Sequence, residues 1–232
     1  MGISNLSVQQ IAIETIEYIK KQIYPGMPLS EIRKKCEDKM ISLGADSFWY
    51  YNIGALIYAG SETTISVSGK EYKTSDYKIQ DNDIITIDLS PQIHHIWGDY
   101  ARTIIIENGK AVKSTDDIQQ TEWKNGLIFE NQLHQHLTEF ATPQTTFEEL
   151  YYEINNLIYS SGFKNLDFNN NLGHSICRHK ALRVYIEKGN KKPLSSVRYF
   201  TFEPHIALQN GSFGYKMENI YVFENGVLKS LE

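Results

Sequence analysis

The sequence has few of the features that build disulfide scaffolds or membrane spans. It contains two cysteines, Cys36 and Cys177, among 232 residues, which excludes a disulfide framework and a four-thiolate metal site. No apolar run approaches the roughly 18 residues that a membrane span needs. No basic and apolar targeting signal opens the chain. We therefore expect a soluble, cytoplasmic protein with reduced thiols.

Positive charge is also scarce. There are 23 Lys and Arg residues against 28 Asp and Glu residues, which gives a net charge of −5. Without an extended basic run, this balance argues against nucleic acid as the main partner. A chain of this length, with 41% hydrophobic residues, can bury a full core. We expect one globular domain over residues 1–232, and the sequence leaves a homodimer open as its assembly state.

Two pairs of carboxylates stand out, each pair in a β-forming stretch. Asp88 lies in IITIDLS and Asp99 in GDYARTIIIENG. Glu203 lies in FTFEPHI and Glu218 in KMENIYVFENG. A single acid at a strand end is usually solvated or salt-bridged. Two matched pairs with few nearby cations instead indicate a shared divalent metal, because burying an unpaired charge is costly.

The surroundings of the two pairs repeat along the chain. Each pair follows a helix, a break, a second capped helix and a glycine. The first set of signals comprises a helix opening at Ser7, the break at Pro25-Gly26, and a helix after Ser30 ended by Gly44. The second comprises a helix from about Thr121 to Phe140, and another from Glu148 to Tyr159 ended by Gly162. The chain therefore reads as two α/β halves, 7–109 and 121–226, facing each other across a site.

A nitrogen donor is expected beside four carboxylates, and His174 in the string LGHSI lies between the two acid hairpins. An isolated histidine is more often a surface residue or a hydrogen-bonded core residue. Its position between the pairs favours His174 as a ligand.

In chain order, the strings IDLS with WGDYART, LGHSI, FTFEPH and KMENIYVFENG resemble the metal-ligand motifs of the pita-bread metallopeptidases. This is the family of methionine aminopeptidase, prolidase, aminopeptidase P and creatinase, and the resemblance covers nearly the whole chain. It implies an α+β pita-bread fold of two pseudo-symmetric α/β halves around a dinuclear metal site. The implied metal ligands are Asp88, Asp99, His174, Glu203 and Glu218, with Asp99 and Glu218 bridging. Two divalent ions of manganese, cobalt, iron or zinc suit such a set.

The function that this resemblance implies is metal-dependent hydrolysis. An aminopeptidase or a peptidase like the Xaa-Pro dipeptidases is expected, acting on a small peptide or an amino-acid-derived substrate. It would use a water held between the ions, and Glu203 would accept the proton from that water.

Two histidines that family members use on the substrate are replaced here, by Ser68 and Ala181. His179 and His205 are the candidate catalytic replacements, because each lies within a few residues of a ligand motif. The replacements keep an alternative open. This alternative is a non-peptidase C–N hydrolase of the same fold that acts on a modified amino acid or small metabolite, or a non-enzymatic binding member.

Overall fold

The structure, a computed structural model, describes residues 2–231, which form α-helices, β-strands and four short 3-10 helices. Its helices are α1 (Asn5–Ile19), α2 (Leu29–Ser42), α3 (Thr121–Phe140) and α4 (Phe147–Ser160). Its strands are β1 (Ser47–Phe48), β2 (Ala55–Ala59), β3 (Asp83–Leu89), β4 (Pro91–Ile93), β5 (Ile96–Trp97), β6 (Tyr100–Glu107), β7 (Lys110–Ala111), β8 (Phe163–Asn165), β9 (Tyr199–Phe202), β10 (His205–Leu208), β11 (Gly214–Lys216), β12 (Asn219–Glu224) and β13 (Val227–Ser230). Within residues 2–231, no helix has both the length and the apolar character to cross a membrane.

Helices α1 and α4 begin at capping side chains, whereas α2 begins at Leu29 after Pro28, which makes no capping bond, and not after Ser30 as the sequence predicts. The sequence predicts that the first helix opens at Ser7, but α1 begins at Asn5, with Ser4 as its N-cap. Ser4 and Ser7 exchange side-chain and backbone hydrogen bonds, so Ser7 is the third helical residue rather than the cap. Helix α4 has the same reciprocal arrangement between Thr146 and Glu149. The predicted stops are confirmed, since Gly44 and Gly162 adopt φ values of 107° and 81° after α2 and α4.

Two antiparallel sheets lie beside the two acid pairs. One antiparallel sheet has the order β2-β3-β6-β7, and its β3 pairs with β6 so that Asp88 lies opposite Ala101. Another has the order β13-β12-β9, with Asn219 of β12 opposite Phe202 of β9. Both outer hairpins turn at an Asn-Gly dipeptide with positive φ, at 108–109 and 225–226. Each acid pair is therefore held by a separate antiparallel sheet.

The predicted strand faces are confirmed in β3. Ile85, Ile87 and Leu89 are buried in one hydrophobic cluster together with the inner faces of α1 and α2. Thr86 and Asp88 point the opposite way and line a pocket. A second cluster joins α3 and α4 to the strands of the later sheets. Two helices followed by antiparallel strands thus occur twice within residues 2–231, while the division into halves within a single domain stays a prediction.

Candidate metal centre

All five predicted ligands line one pocket. Asp88 lies within β3, Asp99 directly precedes β6, Glu203 directly follows β9, and Glu218 directly precedes β12. His174 lies in the loop between β8 and β9. The positions agree with the strand ends that the sequence indicates, and they come from both of the sheets described above.

Backbone hydrogen bonds connect the two sides of this pocket. The Glu218 amide donates to the carbonyl of Ala101 at 3.0 Å. On the first side, buried Gln9 of α1 both donates to the Asp99 carbonyl and accepts from the Asp99 amide, at 2.8 Å each. These contacts fix the main chain at Asp99 and Glu218, from which the two carboxylates extend into the pocket.

Asp99, His174 and Glu218 form what we call the deep cluster. Their ligand atoms lie within 4.8 Å of one another, and His174 Nε2 is 3.5 Å from Asp99 Oδ2. Asp99 Oδ2 and both carboxylate oxygens of Glu218 are buried without a hydrogen-bond partner among the described residues. Buried carboxylate oxygens without a donor are costly unless a cation compensates them. The deep cluster therefore fits a divalent ion.

The protonation states of the deep cluster have clear physical causes. Burial raises the pKa of Asp99 and Glu218 well above the usual range, and the neighbouring carboxylates raise both further. Burial and then the charge of Arg183 lower the pKa of His174 to about 3, so the imidazole is neutral. His174 Nδ1 lies 3.1 Å from the Ser175 carbonyl and must donate to it. The lone pair of Nε2 then faces Asp99, which is the tautomer that a metal ligand needs.

The orientation of His174 depends on the glycine before it. Gly173 has φ 142°, and a Cβ added there would lie 2.2 Å from the carbonyl oxygen of Thr201. This close approach lets the His174 amide donate to Thr201 Oγ1 at 3.0 Å. Only glycine fits at position 173 with this packing.

Asp88 and Glu203 form the outer pair, and a lysine lies between them. Lys216 Nζ is 2.5 Å from Asp88 Oδ2 and 3.2 Å from Glu203 Oε2. Burial lowers the pKa of Lys216, but the carboxylates of Asp88, Glu203 and Glu218 together raise it well above its usual value. The expectation of few nearby cations is wrong here. Side chains two residues apart in an extended segment point to the same face, so Lys216 shares the face of Glu218. This alternation is the sequence signal that could have identified Lys216 as part of the site.

The two candidate catalytic histidines are placed differently. His205 is buried and lines the pocket, with its Nε2 donating to the Thr63 carbonyl at 2.7 Å. Burial lowers the pKa of His205 to about 4. His179 is exposed on a loop, its ring 6.2 Å from that of His95, and it does not belong to the pocket lining that the described residues form. The structure thus brings His205 to the ligands but not His179, and both catalytic roles stay predictions.

Other pocket residues were missed in the sequence. The guanidinium carbon of Arg183 lies 5.2 to 5.8 Å from the ring centroids of Trp49, Tyr50 and Tyr185. Asp167 also lines the pocket, and burial raises its pKa to about 6. Arg183 and Asp167 lie in segments without strand or helix periodicity, so no pattern in the sequence places them.

Comparison with known proteins identifies one family and several similar structures. The sequence model of Metallopeptidase family M24 matches residues 6–225. An X-Pro aminopeptidase from Thermotoga maritima superposes with a TM-score of 0.80 and 21% identity, covering 97% of this chain and 59% of that one. The prolidase from Pyrococcus furiosus gives 0.79 and 20%, covering 97% and 61%. A methionine aminopeptidase from Thermotoga maritima gives 0.74 and 14%, covering 98% and 94%.

The chain therefore spans less than two thirds of the X-Pro aminopeptidase and the prolidase, but nearly the whole methionine aminopeptidase. Similarity at these identities shows the fold, and it confirms the expected α+β pita-bread arrangement. Among proteins with curated descriptions, none matches the sequence.

Proposed function

Because the chain belongs to metallopeptidase family M24, we propose that it is a dinuclear metal-dependent hydrolase that removes an amino-terminal residue or cleaves a dipeptide. The observation that carries this proposal is the shared ligand. Glu218 belongs to two groups of candidate ligands, one with Asp99 and His174 and the other with Asp88 and Glu203. A carboxylate common to two such groups is suited to bridge two ions.

The donor atoms fit the expected cofactor. Four carboxylates and one neutral imidazole suit manganese, cobalt, iron or zinc. Such ions, when bound, supply Lewis acidity and a water of lowered pKa. The protein itself contributes the buried carboxylates, the oriented imidazole and the pocket that these residues line.

Glu203 is placed to hold a proton during hydrolysis. Its side chain is 18% exposed, and its Oε1 lies 3.8 Å from His174 Nε2. The hydroxyl of Thr201 donates to the same oxygen at 3.4 Å, while Oε2 faces Lys216 at 3.2 Å. A carboxylate that borders both the ligand set and the open pocket can accept a proton from the attacking water and return it to the leaving amine.

The pocket wall supports a small substrate. The pocket has a cavity volume of about 140 Å³, and aromatic side chains such as Trp49, Tyr50 and Tyr185 line it. The hydroxyl of Tyr58 is buried in this wall without a hydrogen-bond partner among the described residues. It is therefore available to donate to a substrate carbonyl. These walls suit an apolar side chain beside the scissile amide.

One observation favours a second candidate function. Ser68 and Ala181 stand where family members carry histidines, His179 lies outside the pocket lining, and the Nε2 of His205 is bonded to a backbone carbonyl. Fewer imidazoles are then free for peptide chemistry. This supports a C–N hydrolase of the same fold that acts on a modified amino acid or small metabolite.

The test compares metal content with hydrolysis. The protein is stripped of metal, reloaded with Mn²⁺, Co²⁺ or Zn²⁺, and assayed on methionyl peptides, Xaa-Pro dipeptides and small amides. We expect hydrolysis of one peptide class, its loss in Glu203→Gln, and lowered metal content in Glu218→Gln. Full metal occupancy in Glu218→Gln would refute the site. Turnover of small amides alone would favour the second candidate, and a stable partner without hydrolysis would favour a binding protein.

The location and assembly of the protein stay predictions. We propose a cytoplasmic protein without membrane or nucleic-acid partners, and a homodimer as one assembly to test. Cell fractionation and sedimentation of the purified protein measure these directly.

A further inference from the structure

We propose that His95 and His179, which we call the histidine pair, form a surface site for one divalent transition-metal ion. This ion ties the loop that carries His179 to the turn between β4 and β5. Neither histidine belongs to the pocket lining that the described residues form, and neither is one of the five predicted ligands. The inference therefore goes beyond the proposed function.

The turn that carries His95 departs from the turn chemistry of comparable hairpins in the chain. Three hairpins of the described residues have two-residue turns in which both residues adopt positive φ. Two of them contain Asn-Gly, at 108–109 and 225–226, which such turns favour. The third contains His94 and His95, with φ values of 49° and 63°. Two side chains with rings at positive φ are costly, and such departures from local preference are typical of functional positions.

A carboxylate holds this turn in place. Asp46 Oδ2 accepts a hydrogen bond from the His94 amide at 2.8 Å and lies 3.2 Å from His94 Nδ1. The hydroxyl of Ser47 donates to the other carboxylate oxygen, Oδ1, at 2.5 Å. The first histidine of the turn is therefore engaged by Asp46. The same carboxylate places a negative charge beside the turn, which favours a cation nearby.

The second imidazole comes from the loop between β8 and β9. The ring centres of His95 and His179 are 6.2 Å apart, their planes are inclined by 44°, and both residues are exposed. Two imidazoles that share one ion, at Zn–N distances of about 2.0–2.1 Å, have ring centres about 5–6 Å apart. A small rotation of these exposed side chains brings both nitrogens to one ion. Water fills its remaining coordination positions.

The donor atoms select the class of ion. Imidazole nitrogen suits zinc, nickel and copper, whereas magnesium and calcium prefer oxygen donors. The pocket ligands are mainly carboxylates, so the two sites differ in donor type. The histidine pair should therefore respond to Zn²⁺ or Ni²⁺ and should ignore Mg²⁺ and Ca²⁺.

The ion fixes a loop that forms part of the pocket wall. In this loop, Lys180 Nζ lies 3.1 Å from the ring centroid of Tyr51, and Arg183 Nε donates to the Lys180 carbonyl at 3.1 Å. Arg183 lines the pocket. Cation–π contacts of exposed side chains are weak, so an ion shared with His95 adds a stronger link. Occupancy of the histidine pair thus sets how firmly this wall is held.

Equilibrium dialysis against Zn²⁺ tests the site in the wild type, His95→Gly and His179→Asn. Each variant should bind one Zn²⁺ fewer per chain, or bind that ion at least about 100-fold more weakly. The reason is that losing a residue that only orients a metal ligand already lowers affinity by about 10- to 100-fold. The pocket ligands are intact in all three proteins, so ions bound there do not contribute to the difference.

Two controls accompany these variants. His94→Asn keeps the turn and the His95 ring, and His136→Asn removes an imidazole that pairs with Glu153. Both should bind as many Zn²⁺ ions as the wild type. Equal stoichiometry and affinity in the wild type, His95→Gly and His179→Asn would overturn the site, as would equal losses in the controls. Metal-free His95→Gly should melt no lower than the wild type, because glycine occupies the same position in the other two hairpins.

Hydrogen exchange tests the link to the loop. Zn²⁺ should slow the exchange of backbone amides in residues 177–185 of the wild type, but not of His95→Gly. Unchanged exchange in zinc-bound wild type would overturn the proposed tie. A wild type that hydrolyses peptides but lacks the additional ion would overturn this inference and leave the proposed function in place. A difference of one ion between wild type and variants, without hydrolysis of any substrate, would support this site and count against the proposed function.

Discussion

The deep cluster and the outer pair contain the same kind of side chain in opposite electrostatic surroundings. The deep carboxylates are buried and lack hydrogen-bond donors among the described residues. The outer carboxylates of Asp88 and Glu203 share the ammonium of Lys216. In one region the charge must be compensated by a bound ion, whereas in the other the chain supplies part of the compensation. Counting acids therefore identifies a metal site, but the nearby cations decide how the charge of each part is compensated.

The largest expected effect comes from removing one charge in each region. Asp99→Asn should weaken binding of Mn²⁺ at the deep cluster by about 1,000-fold, because it deletes a buried charge a few ångströms from the ion. Asp88→Asn should change that dissociation constant by less than about tenfold, since Lys216 already offsets the Asp88 charge. Isothermal titration of both variants with Mn²⁺ measures this. Equal losses in the two variants would show that the regions do not differ.

The second prediction concerns the backbone that positions His174. Gly173→Ala would place a Cβ 2.2 Å from the Thr201 carbonyl oxygen, and it should lower the free energy of unfolding by about 3 kcal/mol or more. Gly189→Ala is the matched control, because Gly189 also has a positive φ, of 87°, but has nothing within 4 Å of such a Cβ. The control should cost about 1 kcal/mol. Denaturant unfolding gives both values, and similar losses would argue against close packing beside the deep cluster.

The third prediction concerns how the free energy of unfolding depends on pH, through a histidine close to the deep cluster. His134 accepts from the Tyr221 hydroxyl and donates to the Met217 carbonyl, next to Glu218. Burial lowers its pKa from 6.5 to about 3, so between these values the unfolded state binds the proton and the folded state does not. Stability should thus fall as the pH drops from 6.5 towards 3, with His134 contributing about 1.4 kcal/mol per pH unit.

His134→Gln should reduce this slope while keeping a donor and an acceptor. His136→Gln, on the same helix, controls for loss of an imidazole that pairs with Glu153 at 2.8 Å. Melting temperatures measured across this pH range decide the matter. An unchanged slope in His134→Gln would mean that His134 does not remain neutral in the fold.

The smallest expected effect concerns the Thr201 hydroxyl, which contacts one residue of the deep cluster and one of the outer pair. Thr201 Oγ1 accepts from the His174 amide and donates to Glu203 Oε1. Thr201→Val removes both contacts at nearly constant volume and should cost about 1–2 kcal/mol of unfolding free energy. Thr138→Val removes a hydroxyl that bonds within α3 on the exposed side and should cost less. Denaturant unfolding compares them, and equal costs would remove Thr201 as a link between the regions.

Much of the fold follows from patterns that the sequence displays directly. The period of two in β3 predicts correctly that Asp88 faces away from Ile85 and Ile87, because a pleated strand with one buried face has one register. Glycines after periodic runs mark the ends of α2 and α4. The start of α1 is missed by two residues because Ser4 and Ser7 both satisfy the local signal, and the contacts of the folded chain select Ser4.

The site is only partly predictable for a related reason. The four carboxylate ligands lie at or near strand ends, where alternation and the order of hairpins constrain them, whereas His174 lies in a loop. Lys216 follows the same alternation, but sequence alone does not show which carboxylates lie opposite it. Arg183, Asp167 and His179 lie in irregular segments, where long-range packing rather than a local period sets the side-chain direction. The direction of a side chain in a loop can therefore be assigned only from the structure.

Anomalous X-ray diffraction from crystals grown with Mn²⁺ tests the central claim most directly, because it locates each ion among named side chains. The structure predicts one peak bounded by Asp99, His174 and Glu218, and a second at Asp88 and Glu203 from which the Lys216 side chain has moved away. Peaks that do not adjoin Glu218, or none at any of the five ligands, would contradict this account.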